Sequence, residues 1–147
     1  MPTEDNKTLA RRFMEETDKG NLDVIDELIA KDSVDHTPMP GQPPGAEGVK
    51  WVFRTLKGGF PDMKGTIQDI VAEGDRVAVR RLTRGTHTGE FMGIPPTGKT
   101  VEVEEIHIMR VKNGKFSEHW GIVDAPSMMM QLGVMPAPPG AGNAPPA

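Results

Sequence analysis

Apolar residues recur at two different periods along this chain, and the change of period falls near its middle. In the first part the spacing is helical. Thr3 is placed to cap a helix beginning at Glu4, with Glu4 and Asp5 complementing its N-terminal dipole. Leu9, Phe13 and Thr17 share one face, with Ala10 and Met14 beside them, and Gly20 ends the run. Asn21 then caps a short second helix, whose Leu22, Ile25, Leu28 and Ile29 turn inward while Asp23, Asp26 and Glu27 face water. "SVDHTP" is a short extended piece closed by Pro38, and "MPGQPPG" is a loop. A third helix fits residues 46–58, with Val49, Val52, Phe53 and Leu56 as its apolar stripe, and "GGFPDM" breaks it.

Beyond that point polar and apolar residues alternate, as in strands. Residues 65–72 and 76–88 form a hairpin around "EGD". After the loop "EFMGIPPTG", "KTVEVEEIHIMRV" turns at "NG" and returns as "KFSEHWGIVD". "APSMMMQLG" closes the pattern as a short helix, with Pro126 in its first turn and Gly133 just past its end. Helices followed by long antiparallel strands predict an α+β fold, a cone-shaped curved antiparallel sheet wrapped around the N-terminal helices with a hollow between them. Residues 1–135 make one domain, and residues 136–147 are a Pro/Gly/Ala-rich flexible tail.

Composition narrows the chemistry. The 147 residues are 36% hydrophobic, enough for a core that encloses a pocket. There is no Cys, which excludes a disulfide framework, a thiolate zinc site and a cysteine nucleophile. Ser33, Ser117 and Ser127 lie outside any nucleophile elbow. Four His without tight pair spacing do not form a recognisable metal site. A net charge of −4 argues against nucleic acid as a partner, and Arg80, Arg81 and Arg84 read as a solvated face or cross-strand ion pairs. No segment reaches the length of a membrane span and the N-terminus lacks an apolar run, so a soluble, cytoplasmic protein is expected.

The segment "EIHIMRVKNGKFSEHWGIVD" carries His107, His119 and Asp124 in strands that need no such groups for packing. Two hairpin registers are open. A two-residue turn at Asn113-Gly114 sets His107 opposite Trp120, with Asp124 on the same face, whereas a three-residue loop sets it opposite His119, with Gly121 beside them. A histidine beside a second titratable group is equipment for general acid–base work. Each group also has a plainer reading. His119 fits a solvated sheet face, His107 a hydrogen-bonded structural histidine, and Asp124 the N-cap of the last helix. Trp120 fits a core aromatic or the wall of a pocket for a flat substrate. His36 before "TP" and His87 in "GTHTG" read as loop or surface histidines when taken alone.

"GTHTGEFMGIPPTGK", followed by "EIHIMRVKNGKFSEHW" and "MMMQLG", resembles the SnoaL-like polyketide (ester) cyclase family, within the fold group named after nuclear transport factor two. "DHTP", "VKWVFRTL" and "GGFPDM" extend the resemblance upstream, so that it covers roughly residues 6–133. It implies a homo-oligomer, a homodimer or homotetramer, that uses no cofactor and closes a ring by intramolecular aldol condensation on a small hydrophobic or aromatic carbonyl compound. It implies His107, with Asp124 or His119, as the catalytic acid/base groups, and Trp120, His36, His87 and Phe53 as substrate-binding. The chain departs from the pattern at one place: those cyclases have an acidic residue directly after the "H-x" pair, where this sequence has Gly121. The competing expectations are a hydratase, dehydratase, isomerase or epoxide hydrolase on the same fold, or a non-catalytic small-molecule-binding or dimerisation module. A ketosteroid-isomerase layout is disfavoured because the chain has no Tyr for the oxyanion site.

Overall fold

The helical stripe at the N-terminus is the face that is buried. In the computed structural model, which describes residues 3–136, Ala10, Phe13, Met14 and Thr17 of α1 (Thr3–Asp18) are covered, as is Asn6 one turn earlier. Helix α2 (Asp23–Leu28) buries Val24, Ile25 and Leu28. It begins one residue later than an Asn21 cap would set it, at the N-cap Leu22, which has no side-chain acceptor, and Asn21 instead donates its side-chain amide to Glu16 at 3.0 Å. The extended piece after it starts earlier than the sequence suggested, taking in Ile29 that was read as helical, and ends before His36, forming β1 (Ile29–Asp35). Then follow α3 (Gly45–Gly59), β2 (Lys64–Glu73), β3 (Arg76–Thr86), β4 (Thr100–Lys112), β5 (Lys115–Val123) and α4 (Ala125–Leu132). The Pro-rich tail lies, from residue 137, outside the described residues.

The strands form one sheet in the order β1-β5-β4-β3-β2. Every neighbouring pair is antiparallel except one: β1 runs parallel to β5, a departure from the expected all-antiparallel sheet. Two strands so far apart in sequence need no tight turn, so the parallel direction is open to them. The β4–β5 turn has positive φ at both Asn113 (53°) and Gly114 (75°), the two-residue type that pairs Lys112 with Lys115. A bulge follows between Arg110 and Val111, with Ser117 as the extra residue on β5. Beyond it Met109 pairs with His119 and His107 with Gly121. Neither register read from the sequence is therefore correct: both assumed an uninterrupted ladder.

Helix α1 packs on β2 and β3, α3 on β1, and α4 on β4, all on one face of the sheet. Two apolar clusters fill that face. One joins α1 and α2 to Val77 and Val79 of β3 and to Met109, Val111 and Phe116. The other gathers Phe60, Met63, Phe91 and Leu132 around Val101 and Val103 of β4. Along β4 the two are separated by Glu105 and His107, and Arg81 of β3 pairs with Glu105 at the same level, with Thr83 next to it on that face. This interruption of the core by polar side chains positions the site.

Candidate active site

Strand alternation brings the groups together. Glu105 and His107 are two residues apart on β4 and so point to the same face. Across from them, Gly121 and His119 of β5 share that face, and Asp35 of β1 pairs with His119. The four side chains form a continuous row. Asp35 Oδ1 lies 2.9 Å from His119 Nδ1, His119 Nε2 lies 2.9 Å from His107 Nδ1, and His107 Nε2 lies 2.8 Å from Glu105 Oε1. The row is sheltered: the side chains of Glu105, His107, Asp35 and His119 are 15%, 16%, 19% and 32% exposed.

Both ends are fixed. Asp35 also accepts the Thr37 amide and the Gln42 side-chain amide, each at 3.0 Å. The Thr37 hydroxyl accepts the Gly121 amide at 2.8 Å, which ties the loop after β1 to the same place. At the inner end Glu105 accepts the Thr83 hydroxyl, and the guanidinium of buried Arg81 lies close by. Arg81 in turn donates to both oxygens of Asp18 in α1 at 2.9 Å. Burial alone would push both carboxyls of the row up. For Asp35 the hydrogen bonds of His119, Gln42 and Thr37 and the charge of His119 outweigh it, and its pKa falls well below the usual range. For Glu105 the hydrogen bond and charge of His107, the Arg81 charge and the Thr83 hydroxyl do the same.

The other residues singled out in the sequence lie elsewhere. Asp124 caps α4, accepting the Ser127 amide at 3.1 Å, and is not in the row. Trp120 projects from the opposite face of the sheet, stacked on His36 at 4.6 Å between ring centres, with Arg76 and Arg110 over its ring. His36 there binds Glu118 at 3.1 Å. His87 is fully buried against Phe60, its Nδ1 accepting the Thr97 amide at 3.2 Å at the base of the 88–98 loop. Phe53 packs edge-on against Phe13 at 5.8 Å in the first cluster. Asp35, Glu105, Arg81 and Thr83 were missed. Glu105 was within reach, since it precedes His107 by two on an alternating strand. Asp35 was not, because its meeting with His119 depends on the β1–β5 pairing. Of the three arginines, Arg80 and Arg84 make the expected cross-strand pairs, with Asp69 and Glu102.

The sequence pattern of SnoaL-like polyketide cyclases matches residues 8–132. The chain belongs to the SnoaL-like polyketide cyclase family. It is similar to aklanonic acid methyl ester cyclase DauD from Streptomyces sp. (strain C5), 30% identical over 147 residues, covering 94% of this chain and 88% of that one. Nogalonic acid methyl ester cyclase from Streptomyces nogalater is 29% identical over 121 residues, covering 78% of this chain and 87% of that one. Among solved structures, wild-type IdmH from Streptomyces antibioticus superposes with a TM-score of 0.75 at 42% identity, over 86% of this chain and 97% of the other. For a SnoaL-like protein the glycine at 121 is the feature to explain, and packing explains it. A Cβ there would lie 2.6 Å from His107 Nδ1 and 2.8 Å from His119 Nε2. The bond between the imidazoles occupies the space a side chain at 121 would take.

Proposed function

We propose that this SnoaL-like protein is a polyketide ester cyclase acting in the cytoplasm on a small hydrophobic carbonyl compound, by general acid–base chemistry that needs no cofactor. In the ring closure, a base removes a proton from a carbon between carbonyl groups. That carbon bonds to a ketone carbon, whose oxygen takes up a proton. The substrate is isomerised, and the protein has only to accept one proton and return one. The observation that carries the reading is the row Asp35–His119–His107–Glu105, sheltered between two apolar clusters. The names of the similar proteins supply the substrate class to try first. Incubation with aklanonic or nogalonic acid methyl ester is expected to give a ring-closed product. His107→Ala is expected to slow that turnover by about 10²–10⁴-fold, the usual worth of a positioned acid or base. Unchanged turnover would remove His107 from the mechanism.

A second reading has its own observation. Every ring nitrogen in the row is already bonded within the protein, as in a structural polar core of a non-catalytic binding module. Binding of both esters without conversion of either would favour it. The assembly we propose is a homodimer, supported by Val34, Ile106, Ile108 and Ile122, all exposed on the outer face of the sheet.

A further inference from the structure

Three hydrogen bonds in series join Asp35, His119, His107 and Glu105, and each needs a hydrogen. Two neutral imidazoles bring two, and two carboxylates bring none. We infer that the row holds one additional proton, shared between His107 Nδ1 and His119 Nε2, and that this is the proton exchanged with substrate. The inference rests on the acid–base reading above and adds which proton moves and what holds it.

The ends of the row fix its place. Asp35 receives the Thr37 and Gln42 amides, so it is an acceptor and His119 Nδ1 is a donor. Glu105 receives the Thr83 hydroxyl beside the Arg81 cation, so His107 Nε2 is a donor as well. The two remaining nitrogens face each other at 2.9 Å. With a hydrogen between them the rings carry one positive charge, flanked by a carboxylate on each side. Without it two lone pairs oppose each other, and the bond opens. The charged groups facing the rings are Asp35 from β1, Arg81 from β3 and Glu105 from β4, and Asp18 of α1 neutralises Arg81.

Asp35 and Glu105 are therefore positioning residues. They hold the outer nitrogens as donors and leave the inner two for the mobile proton. Delivery of that proton to the ketone oxygen frees His119 Nε2, on the more exposed ring, to take one from carbon. Gly121 belongs to the same device, because any side chain there would part the rings.

NMR of the full chain, 15N-labelled at histidine and free of ligand, tests this. The expected spectrum has His119 protonated on Nδ1, His107 on Nε2, and one low-field proton correlated with both inner nitrogens. Gly121→Ala is expected to abolish that signal. Asp35→Asn and Glu105→Gln remove charge but leave an amide oxygen to accept the ring N–H, and each is expected to make the signal vanish at a lower pH. A carboxylate with a purely structural role would leave that pH unmoved. Rings that protonate independently, with no shared signal at any pH where the chain is folded, would overturn the inference. The measurement uses no substrate, so a shared signal in a protein that converts neither ester would sink the cyclase reading, and with it the exchange with substrate, while the shared proton stands.

Discussion

Arg81 is the buried cation beside the inner end of the row, and it answers Asp18 with a two-oxygen contact at 2.9 Å. Removing one partner of such a pair strands the other, at a cost of about 3–5 kcal/mol. Arg81→Ala is expected to lower stability in urea by that amount. Gly65 lies directly against the guanidinium, where a Cβ would fall 1.6 Å from Nη2, so the strand opposite can carry no side chain there. Asp35 and Glu105 predict the acid limb of the stability profile. Both carboxyls are held low in the folded chain. Their contribution is thus complete above the ordinary carboxylate range, about pH 4, and is lost as pH falls through the lower folded values. Acid titration of urea stability should show this fall, and Asp35→Asn should flatten it. A mutant profile as steep as the wild type would mean that Asp35 contributes nothing to it.

Helix α4 is built almost entirely from local signals: Asp124 as cap, Pro126 in the first turn, and Gly133 at φ 80° as its left-handed end. Gln131 docks it on β4 by exchanging two hydrogen bonds of 2.8 Å with the backbone of Glu102. Asp124→Ala is expected to cost about 1 kcal/mol, the ordinary value of an N-cap, while turnover stays within a few-fold of wild type. A collapse of turnover with stability intact would return Asp124 to the chemistry. Such elements were legible because their information is local. The amphipathic helices and the alternating strands were legible for the same reason, and the row was legible only at its centre, where His107 facing His119 beside Gly121 was one of the two arrangements read from the hairpin. Its assembly needs the bulge at Ser117, which nothing in "KFSEHW" marks, and a parallel pairing between segments far apart in the chain. His107 lies inside although Ile106 and Ile108 flank it, because strand alternation turns those isoleucines outward and sets Glu105 and His107 between the apolar residues of the inner face.

For the molecule as a whole, that inversion leaves an apolar outer surface in need of cover. Ile122 is 76% exposed and Ile106 52%, with Val34 and Ile108 on the same face. Hydrophobic area of this kind favours association of copies. Sedimentation is expected to show a dimer that Ile122→Lys shifts to monomer, and a wild-type monomer at high concentration would defeat the proposal. The inner face draws its shape from a different source. Ser117 is the one residue of β5 spent on a kink, and the partners beyond it are Arg110 with Glu118 and Met109 with His119. A chain lacking only Ser117 could form those same contacts on a straighter ladder. At this strand the bend of the sheet and the identity of the groups on its inner face can therefore vary independently, so one inserted or deleted residue re-curves the surface around the proton machinery and leaves that machinery where it stands.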